Sequence, residues 1–246
     1  MMFWRKAKLK EITALVLAGG LGTRLKPVVS DRPKGMAEVV GKPFLTYILE
    51  QLKEAEVGKV ILCTGFKGEL IECEFGREYR GIPLEYSQEN KSLGTGGALR
   101  LAYPKIESEE ALVMNGDSYC QANLKRFIRL HRSHEANASI LLTYSKDASR
   151  FGRVLMEESG RVLKFMEKAE EPGPGWINAG IYLIRKKLVK TIPHFREVSL
   201  EREIFPRWIG NRFFGFKNEG VFIDIGTPES YEEAKRLFEG ELRLKL

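Results

Sequence analysis

Three glycines followed by two cations stand near the start of this 246-residue chain. Gly19, Gly20 and Gly22 come directly after the apolar run Thr13-Ala14-Leu15-Val16-Leu17, and Thr23-Arg24 and then Pro33-Lys34 follow. Glycines let a backbone approach a ligand closely and turn its N–H groups toward it. Arg24 adds a planar, permanently charged fork suited to phosphate oxygens, and Lys34 a compact point charge. Glycine loop, arginine and lysine in that order suit a triphosphate. The competing reading is a tight turn whose Arg and Lys are merely solvated, as most are in any protein.

Two better-known phosphate motifs are excluded. A P-loop ends in Gly-Lys-Ser/Thr, whereas Gly22 is followed by Thr23-Arg24. The dinucleotide fingerprint needs a third glycine three residues after Gly22, and Leu25 stands there. Carboxylates supply the complementary chemistry. Asp117 ends Asn115-Gly116-Asp117, and Asp224 precedes Gly226-Thr227-Pro228. If both sit at strand ends across one crevice, they suit Mg²⁺, a hard cation that takes oxygen ligands and triphosphate. Each Asp is otherwise a helix or turn cap.

The elements that must position these groups are legible as a strand–helix alternation. The apolar stretch 13–17 reads as a strand buried on both faces. Phe44, Tyr47, Ile48, Gln51, Leu52 and Ala55 recur at helical spacing, and all but Gln51 are apolar. Strands are predicted over 60–63, 84–87 and 111–115, with helices near 67–75 and 97–103 and another marked by Leu124, Phe127, Ile128 and His131. The second half changes character: strands at 140–142, 180–184, 213–216 and 221–225, a hairpin of 152–157 with 161–165, and a last helix with Thr227 as N-cap and Pro228 at its first position. Such a pattern predicts an α/β, Rossmann-like, mostly parallel sheet flanked by helices, in one domain. Ligands of open α/β sheets sit at the carboxyl ends of strands, where the glycine loop, Asp117 and Asp224 all fall.

Composition narrows the class. Net charge is +7, with 43% hydrophobic and 30% charged residues, enough for one well-cored domain. The basic balance suits anionic partners, but Lys and Arg are interleaved with Glu and no basic–aromatic tract appears, so nucleic acid is not an expected partner. No run of about 20 apolar residues predicts a membrane span. Cys63, Cys73 and Cys120 form no C-x-x-C pair, which predicts reduced thiols in a cytoplasmic protein without structural zinc. The oligomeric state is not legible, and a homo-oligomer is compatible with the sequence. His131, His134 and His194 lack a third ligand at metal spacing and read as surface or helix-packing residues.

Leu17 to Leu25, Pro27 and Pro33-Lys34 resemble the signature of the sugar nucleotidyltransferases, L-A-G-G-x-G-T-R-L followed by P and P-K. Gly35 replaces the proline usual after the lysine, with an expected small effect on loop stiffness. Val28-Val29-Ser30-Asp31 is similar to the branch that makes GDP-heptose from D-glycero-D-manno-heptose 1-phosphate. The resemblance runs from about Thr13 to Tyr231, with a nucleotide-binding half near 13–123 and a sugar-phosphate half near 124–246. It implies transfer of a nucleotidyl group from a nucleoside triphosphate to a sugar 1-phosphate, with Mg²⁺ on Asp117 and Asp224, and with Arg24, Lys34, Asp117 and Lys168 catalytic. The base would lie against Leu17, Ala18, Gly19 and the loop holding Gly94 and Thr95, with Gly20, Gly22 and Thr23 at the phosphates. Gln88 is either a base-edge contact or an exposed strand-end amide. The segments Phe165-Met166-Glu167-Lys168, Ile177-Asn178-Ala179-Gly180 and Phe151-Gly152 are similar to the family's sugar site, implying sugar contacts from Glu167, Asn178 and Gly152. GTP with the heptose phosphate is the expected pair. Mannose 1-phosphate is the nearest alternative, and a catalytically silent nucleotide-sugar-binding relative is the alternative of another class.

Overall fold

The computed structural model describes residues 11–20, 22–25, 27–166 and 173–243, the last three as backbone only. In chain order the strands and helices are β1 (Thr13–Leu17), β2 (Glu38–Val39), β3 (Lys42–Pro43), α1 (Phe44–Glu54), β4 (Lys59–Thr64), α2 (Gly68–Phe75), β5 (Glu78–Tyr79), β6 (Ile82–Gln88), α3 (Gly94–Ala102), β7 (Glu110–Asn115) and β8 (Ser118–Cys120). Then come α4 (Leu124–Ser133), β9 (Ala138–Ser145), β10 (Arg153–Met156), β11 (Val162–Met166), β12 (Gly175–Arg185), α5 (Lys186–Val189), α6 (Phe205–Trp208), β13 (Phe213–Asn218), β14 (Phe222–Asp224) and α7 (Pro228–Arg243). Ten strands make one mixed sheet. Its parallel part runs β7-β1-β4-β6, and β12 joins β7 antiparallel. β9 pairs with β12 and, in parallel, with β13, so the sheet passes unbroken from the first half of the chain into the second.

The apolar β1 is flanked on both sides, and Ala14, Leu15 and Val16 are fully buried. After β1 the chain builds outward through β4 and β6, then returns to the other side of β1 with β7. The reversal opens a crevice at the carboxyl ends of β1 and β7, the place where such sheets take ligands. Gly116 N donates to Leu17 O at 2.9 Å and Ala18 N to Cys63 O at 2.8 Å, so the two turns leave the sheet locked together.

The helices follow the expected apolar stripes. α1 buries Phe44, Leu45, Ile48, Leu49 and Leu52, each contributing about 1.5–3 kcal/mol relative to exposure. Gln51, the polar break in that stripe, donates through Nε2 to Cys120 O at 2.8 Å and Ala122 O at 3.3 Å. A buried amide thus ties α1 to the strand that follows Asp117. α3 begins at Gly94, three residues earlier than its apolar spacing suggested, because Gly94 to Gly97 wind into its first turn.

Two further features differ from the sequence expectation. The stretch 221–225 does not extend the main sheet; β14 instead pairs with β8 in a separate two-stranded ribbon. A single π-helical turn, Leu200–Ile204, with Ser199 as its N-cap, precedes α6. π turns are uncommon and frequent at functional sites, and no periodicity in the sequence marks this one.

His131 is fully buried on α4, with Nδ1 2.7 Å from Ser139 Oγ. Burial, assisted by the nearby charges of Arg185 and Arg132, pushes its pKa down to about 3. Glu110, 3.8 Å away, does not offset this, because its other oxygen is held by Arg132 at 2.7 Å. The unfolded chain takes up a proton near pH 6.5 that the native protein refuses until about pH 3. Stability therefore falls as pH drops below about 6.5, with a slope from this residue approaching 1.4 kcal/mol per unit. Denaturant melts at pH 7, 6, 5 and 4 are expected to show a shallower loss for His131→Gln than for the wild type.

Candidate active site

Two chambers meet at the sheet's carboxyl edge. The larger, about 310 Å³, is lined by Leu17, Ala18, Gly19, Gly20, Gly22, Thr23, Gly94, Thr95, Glu89 and Gly116 among others. The smaller, about 200 Å³, is lined by Gly152, Asn178, Gly180, Glu201, Arg150, Phe222 and Asp224 among others. Arg24, Lys34, Asn115 and Asp117 line both. Apart from Gln88, the residues predicted for a nucleotide line the first chamber; of those predicted for a sugar, Gly152 and Asn178 line the second, and Arg24, Lys34 and Asp117 lie on the boundary.

The boundary is built from three chain segments. Lys34 sits in a 3₁₀ turn, Lys34–Met36, and its Nζ contacts Asp117 Oδ2 at 2.7 Å. Gly35, where the resemblance calls for proline, is buried, and a Cβ there would stand 2.7 Å from Leu45 Cγ and 3.0 Å from Gly116 O. The departure at Gly35 therefore concerns packing as well as stiffness: the turn lies flush against α1 and the turn before Asp117. Asp117 follows β7, and its carbonyl accepts from Ile225 N at 3.0 Å. The β8–β14 ribbon pairs Asp224 with Ser118, the residue after Asp117, so the segments that carry the two aspartates are held against each other.

Gly226 marks where the groups converge. Its N–H donates to Asp224 Oδ2 at 2.9 Å. A Cβ there would lie 3.4 Å from both Arg24 Nη2 and Lys34 Nζ, and against the Asp224 carboxylate. Only a residue without a side chain lets two cations and a carboxylate share that space. The donor set fits a hard divalent cation: two carboxylates lining one chamber, each facing a positive group, with Lys34 Nζ 2.7 Å from Asp117 Oδ2 and Arg150 Nη2 3.3 Å from Asp224 Oδ1. Among the described residues no three His, Cys, Asp or Glu cluster as a metal site, so the rest of such an ion's shell would come from phosphates and water.

Several predicted contacts need restating. Gln88 is exposed and does not line the larger chamber; the next residue, Glu89, does, and is 9% exposed. Glu89 Oε2 accepts from Leu93 N at 3.0 Å, and burial pushes its carboxyl pKa up, assisted by Glu197. Its other oxygen lies where a side chain on Gly19 would stand, 2.8 Å from that Cβ position. Thr95 lines the chamber, but its hydroxyl donates to Glu201 Oε2 and accepts from Leu200 N, both at 2.8 Å, so it ties α3 to the π turn. Asn178 Oδ1 accepts from Gly180 N at 2.9 Å and its amide donates to the Tyr182 hydroxyl at 2.8 Å, leaving one amide hydrogen. The Tyr182 hydroxyl in turn donates to Glu201 Oε1 at 3.3 Å. Gly152 is brought beside Asn178, whose N–H donates to Gly152 O at 3.0 Å. Glu167 and Lys168 lie outside the described residues. Glu89, Arg150 and Glu201 were not legible as site residues; Arg150, adjoining the Phe151-Gly152 match, was the one with a neighbouring signal.

The nucleotidyl transferase family model matches residues 13–241. The chain belongs to this family. It is 38% identical over 224 residues to D-glycero-alpha-D-manno-heptose 1-phosphate guanylyltransferase of Aneurinibacillus thermoaerophilus, covering 91% of this chain and 96% of that protein. It is also 38% identical to mannose-1-phosphate guanylyltransferase of Mycobacterium tuberculosis, covering 90% of this chain but 63% of that longer protein. The crystal structure of HddC from Yersinia pseudotuberculosis complexed with GMP-PN superimposes with a TM-score of 0.81 at 34% identity, over 92% of this chain and 99% of that one. A Bacillus anthracis structure described as a putative glucose-1-phosphate thymidylyltransferase, at 22% identity and TM-score 0.83 over 92% of this chain and 94% of its own, shares the fold.

In this nucleotidyltransferase, Gly226→Ala requires the Asp224 carboxylate to move but disturbs no core packing. Nucleotidyl transfer is expected to fall at least about tenfold, since misplacing a positioned group by an ångström can cost that or more. The melting temperature is expected to stay within a few degrees of wild type.

Proposed function

We propose that the protein couples a nucleoside triphosphate to a sugar 1-phosphate, giving a nucleoside diphosphate sugar and pyrophosphate. GTP with D-glycero-D-manno-heptose 1-phosphate is the favoured pair and mannose 1-phosphate the nearest alternative. The observation that carries this reading is the pair of chambers sharing Arg24, Lys34 and Asp117. Two separate anions can lie there end to end, which binding of a single nucleotide would not require. The similarity to curated heptose and mannose guanylyltransferases supports the same reaction class.

A phosphate oxygen of the sugar 1-phosphate attacks the α-phosphorus in line, and pyrophosphate leaves. The nucleophile is already anionic, so neither a general base nor a covalent enzyme intermediate is needed. The obstacle is repulsion between two anions and charge growth as the bond breaks. Arg24 holds the departing pyrophosphate, Lys34 steadies the triphosphate, and the backbone of Gly19, Gly20 and Gly22 lies along it. Lys168 is assigned to the attacking phosphate. Asp117 and Asp224 would hold Mg²⁺, which supplies neutralising charge to the phosphates when bound. Glu167, Asn178 and Gly152 are assigned to sugar hydroxyls. The apposition of fixed charges and oriented substrates accounts for rate by positioning and electrostatics.

Glu89 supports guanine over adenine. An ionised carboxylate only accepts hydrogen bonds. Guanine presents N1–H and the 2-amino group as donors on its pairing edge, whereas adenine presents an acceptor at N1. Glu89 Oε2 already accepts from Leu93 N, and Oε1 faces the Gly19 backbone of the larger chamber, where such donors would lie.

Pyrophosphate release measured with four triphosphates against heptose, mannose, glucose and N-acetylhexosamine 1-phosphates tests the reaction. No release with any pair overturns it. Arg24→Ala and Asp117→Ala are each expected to lower kcat by about 10²–10³ with the fold retained, and near-normal turnover would remove their assigned roles. Glu89→Gln is expected to lower kcat/KM for GTP by about tenfold or more, the loss of one charge-assisted hydrogen bond. Its effect on inosine triphosphate, which lacks the 2-amino group, should be smaller.

A further inference from the structure

The smaller chamber holds a cation that no motif marks. After β9 the chain turns through 146–152 before β10, and the turn is tied at several points. Ser149 N donates to Asp147 Oδ1 at 2.9 Å, and the fully buried Ala148 donates its N–H to Gly173 O at 2.9 Å. Phe151 N donates to Ala148 O at 3.1 Å, and Gly152 O is held by Asn178 N. Arg150 is thereby presented at the chamber wall, its guanidinium 5.6 Å from the centre of the Phe151 ring and 3.3 Å from Asp224 Oδ1. The Arg150 side chain is 45% exposed, so the ion pair is weak. A parallel arrangement exists on the other carboxylate, where Lys34 rests on Asp117 at 2.7 Å. Each aspartate assigned to the divalent ion is thus engaged by one of the protein's own cations.

We propose that Arg150 is a catalytic residue that binds the phosphate of the attacking sugar 1-phosphate, released to it from Asp224 when a divalent cation takes that carboxylate. The inference rests on the reaction proposed above. Three cations, Arg24, Lys34 and Arg150, stand with two carboxylates, Asp117 and Asp224, around the smaller chamber. A divalent ion on Asp117 and Asp224 satisfies the carboxylates and repels the guanidinium. A phosphate dianion in the same chamber is the natural new partner, because the planar fork of arginine can take two of its oxygens at once.

Arg150→Gln and Arg150→Lys in the full chain test this with two readouts. In steady-state pyrophosphate release with Mg²⁺, Arg150→Gln is expected to raise KM for the sugar 1-phosphate by about ten- to a hundredfold, the range for one charged hydrogen-bonding group. KM for GTP should stay within about threefold, since Arg150 does not line the nucleotide chamber, and Arg150→Lys should recover part of the loss. In the second readout, Mn²⁺ binding to the nucleotide-free protein is followed by the electron paramagnetic resonance signal of the free ion. Removing the guanidinium is expected to tighten Mn²⁺ binding by about three- to tenfold, as Coulomb competition for Asp224 is lifted. A sugar-phosphate KM within twofold of wild type, or an unchanged Mn²⁺ affinity, overturns the proposal. If the wild type releases no pyrophosphate with any sugar 1-phosphate, the proposed reaction fails. The Mn²⁺ measurement still decides whether Arg150 competes for Asp224, and an unchanged affinity then overturns the inference independently.

Discussion

The contact between Lys34 Nζ and Asp117 Oδ2 lies where the two chambers meet, and the rest of the candidate site is arranged around it. Bringing two phosphorylated compounds together sets like charges against each other. A protein overcomes that only with positive charge fixed in advance, because cations free to move would spend their attraction on ordering themselves. Fixing cations so close together is itself unfavourable unless anions stand between them. Asp117 and Asp224 fill that place, and Gly226 lets Asp224 approach Arg24 and Lys34 within one small volume.

Holding those charges requires support that does no chemistry. Asp224 reaches Asp117 because the short β8–β14 ribbon pairs the segments that carry them. β8 is held from behind by Gln51, a buried amide bonded to the carbonyls of Cys120 and Ala122. The Lys34 turn lies so close to Leu45 and Gly116 that its middle residue has no side chain. The two chambers are also joined by hydrogen bonds running from Thr95 through Glu201 to Tyr182 and Asn178. The start of α3 at the larger chamber is thus tied to β12 at the smaller one.

The parallel core was legible because its signals are local. Apolar runs with no alternation mark strands buried on both faces, and β1, β4 and β7 fall where those runs stand. The glycine loop, Arg24, Lys34, Asp117 and Asp224 were legible because glycine and charge at strand ends are unusual enough to notice. Gln88 and Glu89 show the limit: both are polar and consecutive at the end of β6, successive side chains face opposite sides, and only the placement of the strand in the fold decides which side is the chamber. Arg150 shows another, since an arginine in a basic protein carries no mark until Asp224, 74 positions away, is found beside it.

By itself, the sequence determined the order of the main strands and helices, the place of the glycine loop and the types of charged group available, because those depend on neighbours within a few residues. Tertiary structure alone decided that β14 leaves the main sheet for β8, that Glu89 faces the chamber in place of Gln88, and that two cations rest on two carboxylates. Those outcomes depend on residues remote in the chain meeting at fixed distances, and a charge interaction is set by spatial separation, which spacing along the sequence does not give.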